Sequence, residues 1–224
     1  WSQMIKRDIL DIAPLGCVGI HDSLLPKAQG AASVNWALIW GEPTWGLSLF
    51  YLEEQFDKGD VIGQREYEIS EDDDINTLFD KADVNAVDLL REMVPRLREG
   101  TAPRIPQDPA LITKTRRRRP EDGVIDWRQT NREVYNLVRA LKRPYPPAFT
   151  FARGQKILVL DARRSDDASL GAGVISSVRA DGMVIGTGRQ SVLVLLFEKE
   201  GGEEADAITF SRELGLRVGD RFGD

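Results

Sequence analysis

The sequence predicts an α/β segment followed by a small antiparallel β-barrel, on the strength of three observations. Strand-length apolar runs alternate with helical spacing over residues 1–100. Residues 101–123 then break the pattern with prolines, a glycine and no hydrophobic period, and read as a linker. Beyond them, short apolar runs recur between Gly and Asp turns, the pattern of a small closed sheet in 124–224.

Each element follows in order. Met4, Ile5, Ile9, Leu10 and Ile12 have helical spacing, so a helix is expected over 2–13, stopped by Pro14. Leu15–Ile20 reads as a buried central strand and Leu24–Gly30 as a loop. Ser33 caps a short helix through Trp40 that ends at Gly41. Gly46–Glu53 and Val61–Ile69 are strands on either side of an Asp57–Asp60 turn. The acidic run Glu71–Asp74 complements the dipole of a helix over roughly 75–98, closed by Gly100. A helix capped by Asn131 runs to about Lys142 and stops at the Pro-rich 144–147 segment. Strands are expected at 157–162, 173–178, 183–187 and 192–197.

Composition narrows the function. With 224 residues and 42% hydrophobic content, the chain can bury a core without staples. One cysteine, Cys17, allows no disulfide framework and fits a reducing, cytoplasmic setting. One histidine, His21, removes multi-histidine metal sites, and no metal is expected. The net charge of −6 gives no overall pull toward nucleic acid or anionic membranes, and no apolar run has membrane-spanning length.

Two residues stand out for chemistry. His21 follows a strand, and open α/β sheets bind ligands beyond the carboxyl ends of strands. Its imidazole can move protons near neutrality, although a loop histidine also serves as a structural hydrogen-bonder. Asp57 lies in the Asp57-Lys-Gly-Asp60 turn, which is also a common structural turn. If the fold joins them, the carboxylate orients the ring and supports its charged form. The run Arg116–Arg119 can meet phosphates or simply be solvated. Trp36, Trp40 and Trp45 read as core aromatics.

The run Gly16-Cys-Val-Gly-Ile-His-Asp-Ser-Leu-Leu-Pro-Lys-Ala-Gln-Gly30 resembles the signature of the 10-formyltetrahydrofolate-dependent formyltransferases. Trp36–Glu42, Gly46–Leu52, Asp57–Gln64, Glu121–Trp127 and Arg139–Thr150 follow in that family's order, so the resemblance spans nearly the whole chain. It implies a Rossmann-like formyltransferase domain, whose first strands lie upstream of Trp1, followed by a C-terminal helix and an OB-like barrel. The formyl donor would be 10-formyltetrahydrofolate. It also implies catalytic roles for His21 and Asp57, and donor-binding roles for Leu25, Pro26, Asp57, Gly59 and Asp60.

Three positions depart from the family pattern. Gly19 stands where the family has a catalytic asparagine, Gln29 where many members have arginine, and Pro147 where glycine is usual. Gly19, through its backbone N–H, and Ser23 are the candidates to support the oxyanion in the asparagine's place. The acceptor implied is a primary amine. Residues 151–224 hold 10 basic against 12 acidic residues, and Asn35-Trp36-Ala37 is similar to sugar formyltransferases, which favours an amino-sugar nucleotide. The alternatives are the aminoacyl group of methionyl-tRNA and a degenerate member that binds folate without turnover.

Overall fold

The computed structural model describes residues 5–223, and these cluster into two compact units: 5–37 with 42–118, and 38–41 with 119–223. The first unit is built on a three-stranded sheet in the order β1-β3-β4. Its strands are β1 (Val18–His21), β3 (Thr44–Tyr51) and β4 (Val61–Glu68), all antiparallel to their neighbours. The expected strand at Leu15–Ile20 therefore starts later and ends on His21. Gly16 has φ of +89°, outside the extended region, and Leu15 is exposed. Among the described residues β1 pairs on one side only and Ile20 is 39% exposed, so it is an edge here rather than a buried central strand.

The first helix is also shorter than expected. α1 covers only Arg7–Leu10, buries no residue and has no side-chain cap at Lys6. One turn without a packed face gains too little to propagate. The first three positions of the expected helix, 2–4, lie outside the described residues.

The longest helix forms where the sequence places it. α3 (Ile75–Arg98) opens with a capping box between Asp74 and Thr77, and Gly100 leaves it at φ +71°. Ile75, Leu78, Ala82, Leu89 and Met93 form its buried face. This face reaches the sheet closely because Gly63 lies under it: a Cβ there would stand 3.0 Å from Leu89 and 3.2 Å from Met93. Helix α2 (Ser33–Trp40) is apolar on nearly every side, and its Val34, Ala37 and Leu38 are fully buried.

Residues 101–118 are laid onto the first unit. Val61 and Ile105 exchange backbone hydrogen bonds, and β5 (Lys114–Thr115) runs parallel to β2 (Gln29–Gly30). The loop expected at Leu24–Gly30 thus ends in a two-residue strand whose partner is more than 80 residues away.

The second unit is a sheet in the order β6-β7-β10-β9-β8, with β11 paired to β10. These are β6 (Ala148–Ala152), β7 (Gln155–Ser165), β8 (Ile175–Arg179), β9 (Gly182–Gly186), β10 (Ser191–Lys199) and β11 (Glu204–Asp206). α4 (Asn131–Ala140) packs on β7 and β10, and its cap is Thr130 with Glu133 rather than Asn131. α5 (Ala207–Leu214), absent from the sequence reading, begins at an Asp206 cap and ends on Gly215 at φ +60°.

The expected barrel is not a closed one. The ladder ends at β6 and β8, and backbone from elsewhere occupies both edges. Ile125 N–H donates to Phe149 O at 2.7 Å along β6, and Ile175 N–H donates to Asp220 O at 2.9 Å along β8. The segment 219–223 spans the gap, with Gly219 bonded to Ile175 and Gly223 to Phe151. Both edges are thereby protected without pairing to each other. Beneath them Phe197 stacks on Phe210 at 4.5 Å, Phe222 lies 6.3 Å from Phe197, and the Trp127 indole donates to Thr150 at 2.9 Å.

At the head of α3, Asp73 is buried and accepts from Lys81 Nζ, Ser70 N and Thr77 Oγ1. Burial pushes its carboxyl up, but these hydrogen bonds, Lys81 first, hold it below the usual range. A carboxyl lowered by folding stabilises the fold above its unfolded value and loses that contribution as pH falls through its folded value. Asp73→Asn should therefore lower stability at neutral pH by about 1–3 kcal/mol. In chemical denaturation the variant and the parent should converge as pH drops below about 4.

Candidate active site

His21 is the last residue of β1 and lies opposite Ser48 of β3. Its ring is mostly buried, with 11% of the side chain exposed, and so is Asp57, at 13%. His21 Nε2 lies 2.9 Å from Ala28 O, and Nδ1 lies 3.8 Å from Asp57 Oδ1. A carbonyl only accepts, so Nε2 carries a proton and Nδ1 is the nitrogen that faces the carboxylate. The 3.8 Å separation is an electrostatic contact rather than a hydrogen bond, leaving Nδ1 able to take or give a proton.

The Asp57 turn is fixed from several directions. Asp57 adopts φ +56°, a left-handed conformation that aspartate tolerates better than most residues. Its carbonyl accepts from Gln29 Nε2 at 3.0 Å and Gln107 Nε2 at 2.7 Å, while Oδ2 accepts from Gly30 N–H at 2.8 Å. Gln29 also donates to Gln107 Oε1 at 2.9 Å, so the two amides form one network. Gln29 is thus the buried link between β2 and the Asp57 turn. Gly59 is required by space: a Cβ there would stand 1.8 Å from Tyr51 O.

The loop after His21 is held by an equally buried polar network. Ser48 Oγ donates to Ser23 O at 2.6 Å and accepts from Leu25 N–H at 2.9 Å. Gln64 donates to both Ser48 Oγ and Leu25 O. Thr113, from the 101–118 segment, accepts from Ala28 N–H at 2.8 Å and so fixes the carbonyl that meets His21. The Leu25–Pro26 bond in this loop is cis.

The remaining expected residues are distributed as follows. Leu25 is buried in a cluster with Phe50 and Val61, against which Leu52 packs, so its side chain belongs to the core under the loop. Asp60 O accepts from Tyr51 N–H, and its carboxylate lies 3.9 Å from Arg104, whose guanidinium stacks on Tyr51 at 3.6 Å.

Neither stand-in for the asparagine offers a free donor. Ser23 is fully buried and its hydroxyl donates to Lys27 O at 2.6 Å. Leu52 N–H donates to Cys17 O, so the alternating ladder makes Gly19/Phe50 a hydrogen-bonded pair and commits the Gly19 N–H to β3. Gly19 shares a face with His21, and the space beside it is taken by Leu52, whose Cδ2 would stand 2.7 Å from a Cβ. Sequence reasoning missed Gln107, Thr113, Ser48 and Gln64, which act across separations of 16 to 85 residues and carry no local signal. A cavity of about 630 Å³ in the second unit, bordered by Trp40, Gln129, Arg132 and Asn136, contains none of the expected residues.

Comparison with known proteins identifies the family and the fold. The family model described as "Formyl transferase" matches residues 1–94, and that described as "Formyl transferase, C-terminal domain" matches 117–214. The methionyl-tRNA formyltransferase of Bacillus pumilus is 32% identical over 225 residues, covering 100% of this chain and 71% of that protein. Among solved structures, HypX from Aquifex aeolicus in complex with tetrahydrofolic acid shares the fold at TM-score 0.77 and 19% identity, covering 97% of this chain. The chain spans only 38% of HypX. WlaRD, a sugar 3N-formyl transferase, shares the fold at TM-score 0.63 and 17% identity, covering 79% of this chain and 64% of that one. With both family models matched in order and a relative of this identity aligned from end to end, the chain belongs to the formyl transferase family, whose members are one-carbon group transfer enzymes.

Proposed function

We propose that this protein transfers a formyl group from 10-formyltetrahydrofolate to the amino group of methionyl-tRNA. The observation that carries the reading is the end-to-end similarity to a methionyl-tRNA formyltransferase in a chain whose fold brings His21 to Asp57. This reverses the preference for an amino-sugar nucleotide drawn from the charge of residues 151–224 and from Asn35-Trp36-Ala37. The sugar formyltransferases are likenesses of fold at 17% identity, whereas the tRNA enzyme aligns over the whole chain at 32%.

The residues present fit a folate donor by their chemistry. A partly exposed imidazole–carboxylate pair lies beside a second acid, Asp60, with Leu25 and Pro26 on the adjoining loop. The donor, when bound, supplies a formyl carbon on an amide-like nitrogen. His21 then stabilises charge on the formyl oxygen and relays the proton, and Asp57 supports the charged ring through Nδ1. The attacking amine must be neutral, and the proton it gives up on attack would pass through His21 to the folate nitrogen, whose bond to the formyl carbon breaks as the new carbon–nitrogen bond is kept. For the acceptor, exposed Lys114, Arg116 and Arg117 form a local basic strip that net charge conceals, with the Arg116 guanidinium 5.4 Å from the Trp36 ring. Such a strip suits RNA phosphates.

Three expectations follow. His21→Ala should retain its fold and lose turnover by about 10²–10⁴, and turnover should be seen with methionyl initiator tRNA but not with a nucleotide-linked amino sugar. Formylation of the amino sugar alone would overturn the acceptor, and wild-type turnover in His21→Ala would overturn the mechanism. Returning the asparagine, with room made for it in a Gly19→Asn, Leu52→Ala double variant, should raise kcat by as much as about 10². No gain there would mean that the chain has no missing oxyanion donor to restore.

A further inference from the structure

The cavity of about 630 Å³ in the second unit is formed by the last residues of α2, the turn before α4 and the first two turns of α4. That volume suits a small organic ligand. None of its lining residues takes part in the proposed transfer. Part of the wall is aromatic: Trp40, expected in the core, is 50% exposed and borders the cavity. The chain leaves α2 at Gly41 with φ +70°, and a Cβ there would stand 2.7 Å from Asn136 Nδ2. Arg132 Nη2 donates to Gly41 O at 3.2 Å and ties this turn to α4.

Asn136 is the group that points to a ligand. It is only 3% exposed, and its Oδ1 accepts from Arg139 Nε at 2.9 Å. Nε can only donate, so the carbonyl end of the amide is fixed and Nδ2 is turned toward Gly41, on the cavity lining. Among the described residues no acceptor meets Nδ2. A buried N–H left unpaired is costly and rare, so an acceptor atom brought by a ligand completes it.

The rest of the polar lining is mostly acidic. Hydrogen bonds from Arg128 hold Asp126 below the usual carboxylate range, and hydrogen bonds from the backbone and hydroxyl of Thr130 do the same for Glu133. Both are therefore anionic acceptors at neutral pH, and Asp122 is a third acid on the lining against the single guanidinium of Arg132. This balance disfavours a phosphate and favours a neutral ring that carries an amino group.

We propose that the cavity binds an amino-bearing nucleobase of the adenine type. The ring stacks on Trp40, a ring nitrogen accepts from Asn136 Nδ2, and the amino group donates to the carboxylates. Stacking is open to every base, so selection lies in this pairing of one donor with nearby acceptors. The inference does not rest on the proposed transfer, because the cavity contains neither His21 nor Asp57.

The test titrates the full chain with adenosine and with inosine, in which a carbonyl oxygen replaces the amino group. Adenosine should shift the Asn136 side-chain amide resonances in NMR and bind about tenfold more tightly than inosine. Trp40→Ala should weaken adenosine about tenfold or more, and Trp40→Phe should restore most of the loss. A hairpin RNA ending in an unpaired adenosine, beside its blunt-ended form, separates two sources of the base. Binding tighter than adenosine and lost in the blunt form assigns the base to a strand end, and equal or weaker binding assigns it to a free nucleoside. Adenosine that leaves the Asn136 amide unmoved, binds no better than inosine, or binds folded Trp40→Ala as tightly as the parent would overturn the proposal. The Asn136 readout in the unmodified protein decides the matter even if Trp40→Ala fails to fold. None of these measurements reads formyl transfer, so failure of the proposed function would leave the result standing.

Discussion

The arrangement of the first unit depends on holding Asp57 in a left-handed backbone conformation with its carboxylate turned toward His21. That conformation is disfavoured for a residue with a Cβ, by roughly 1 kcal/mol or more. It persists because every polar group of the turn that points inward has a partner: Gln29 and Gln107 on the carbonyl, Gly30 on the carboxylate. The partners come from β2 and from the 101–118 segment, so this segment completes the site although it contributes no reacting group. Thr113 does the same for the opposite wall by fixing Ala28, whose carbonyl meets the far nitrogen of the ring. The imidazole is hydrogen-bonded at Nε2 and faced at Nδ1 by groups that are themselves immobilised.

The same packing leaves neither Gly19 nor Ser23 with a free donor. The strand that delivers His21 must pair with β3 through Gly19, and the loop that follows must close on itself through Ser23 and Ser48. Both tasks commit the nearest N–H and O–H groups. On the proposed mechanism a donor for developing charge would be a side chain at position 19, and there Leu52 fills the space.

Much of this was legible in the sequence, and what was not has physical reasons. His21 at a strand end, the Asp57 turn and the full length of α3 could be read because each has a local signature: a strand boundary, an Asp-Gly turn, a cap followed by a periodic apolar face. The β-rich second half was legible in its strand spacing but not in its closure, because its edges are met by Ile125 and by residues 219–223 rather than by each other. The four-residue α1 fell short because periodicity without a surface to pack on does not sustain a helix. Gln29, Gln107 and Thr113 are ordinary residues whose importance appears only when distant segments meet. The sequence preference for the acceptor rests on the charge of residues 151–224, a count that leaves out the basic strip at 114–117.

The central claim is the orientation of the His21 ring between Ala28 O and Asp57, and the tautomer of the neutral imidazole reports it directly. Nitrogen-15 NMR of the single histidine at a pH where it is neutral distinguishes the two forms without ambiguity. The geometry predicts a proton on Nε2, bonded to Ala28 O, and an unprotonated Nδ1 facing Asp57. A neutral ring protonated on Nδ1 would contradict it, since Nε2 would then have no proton to offer the carbonyl and the pairing described for Asp57 would have to be reversed.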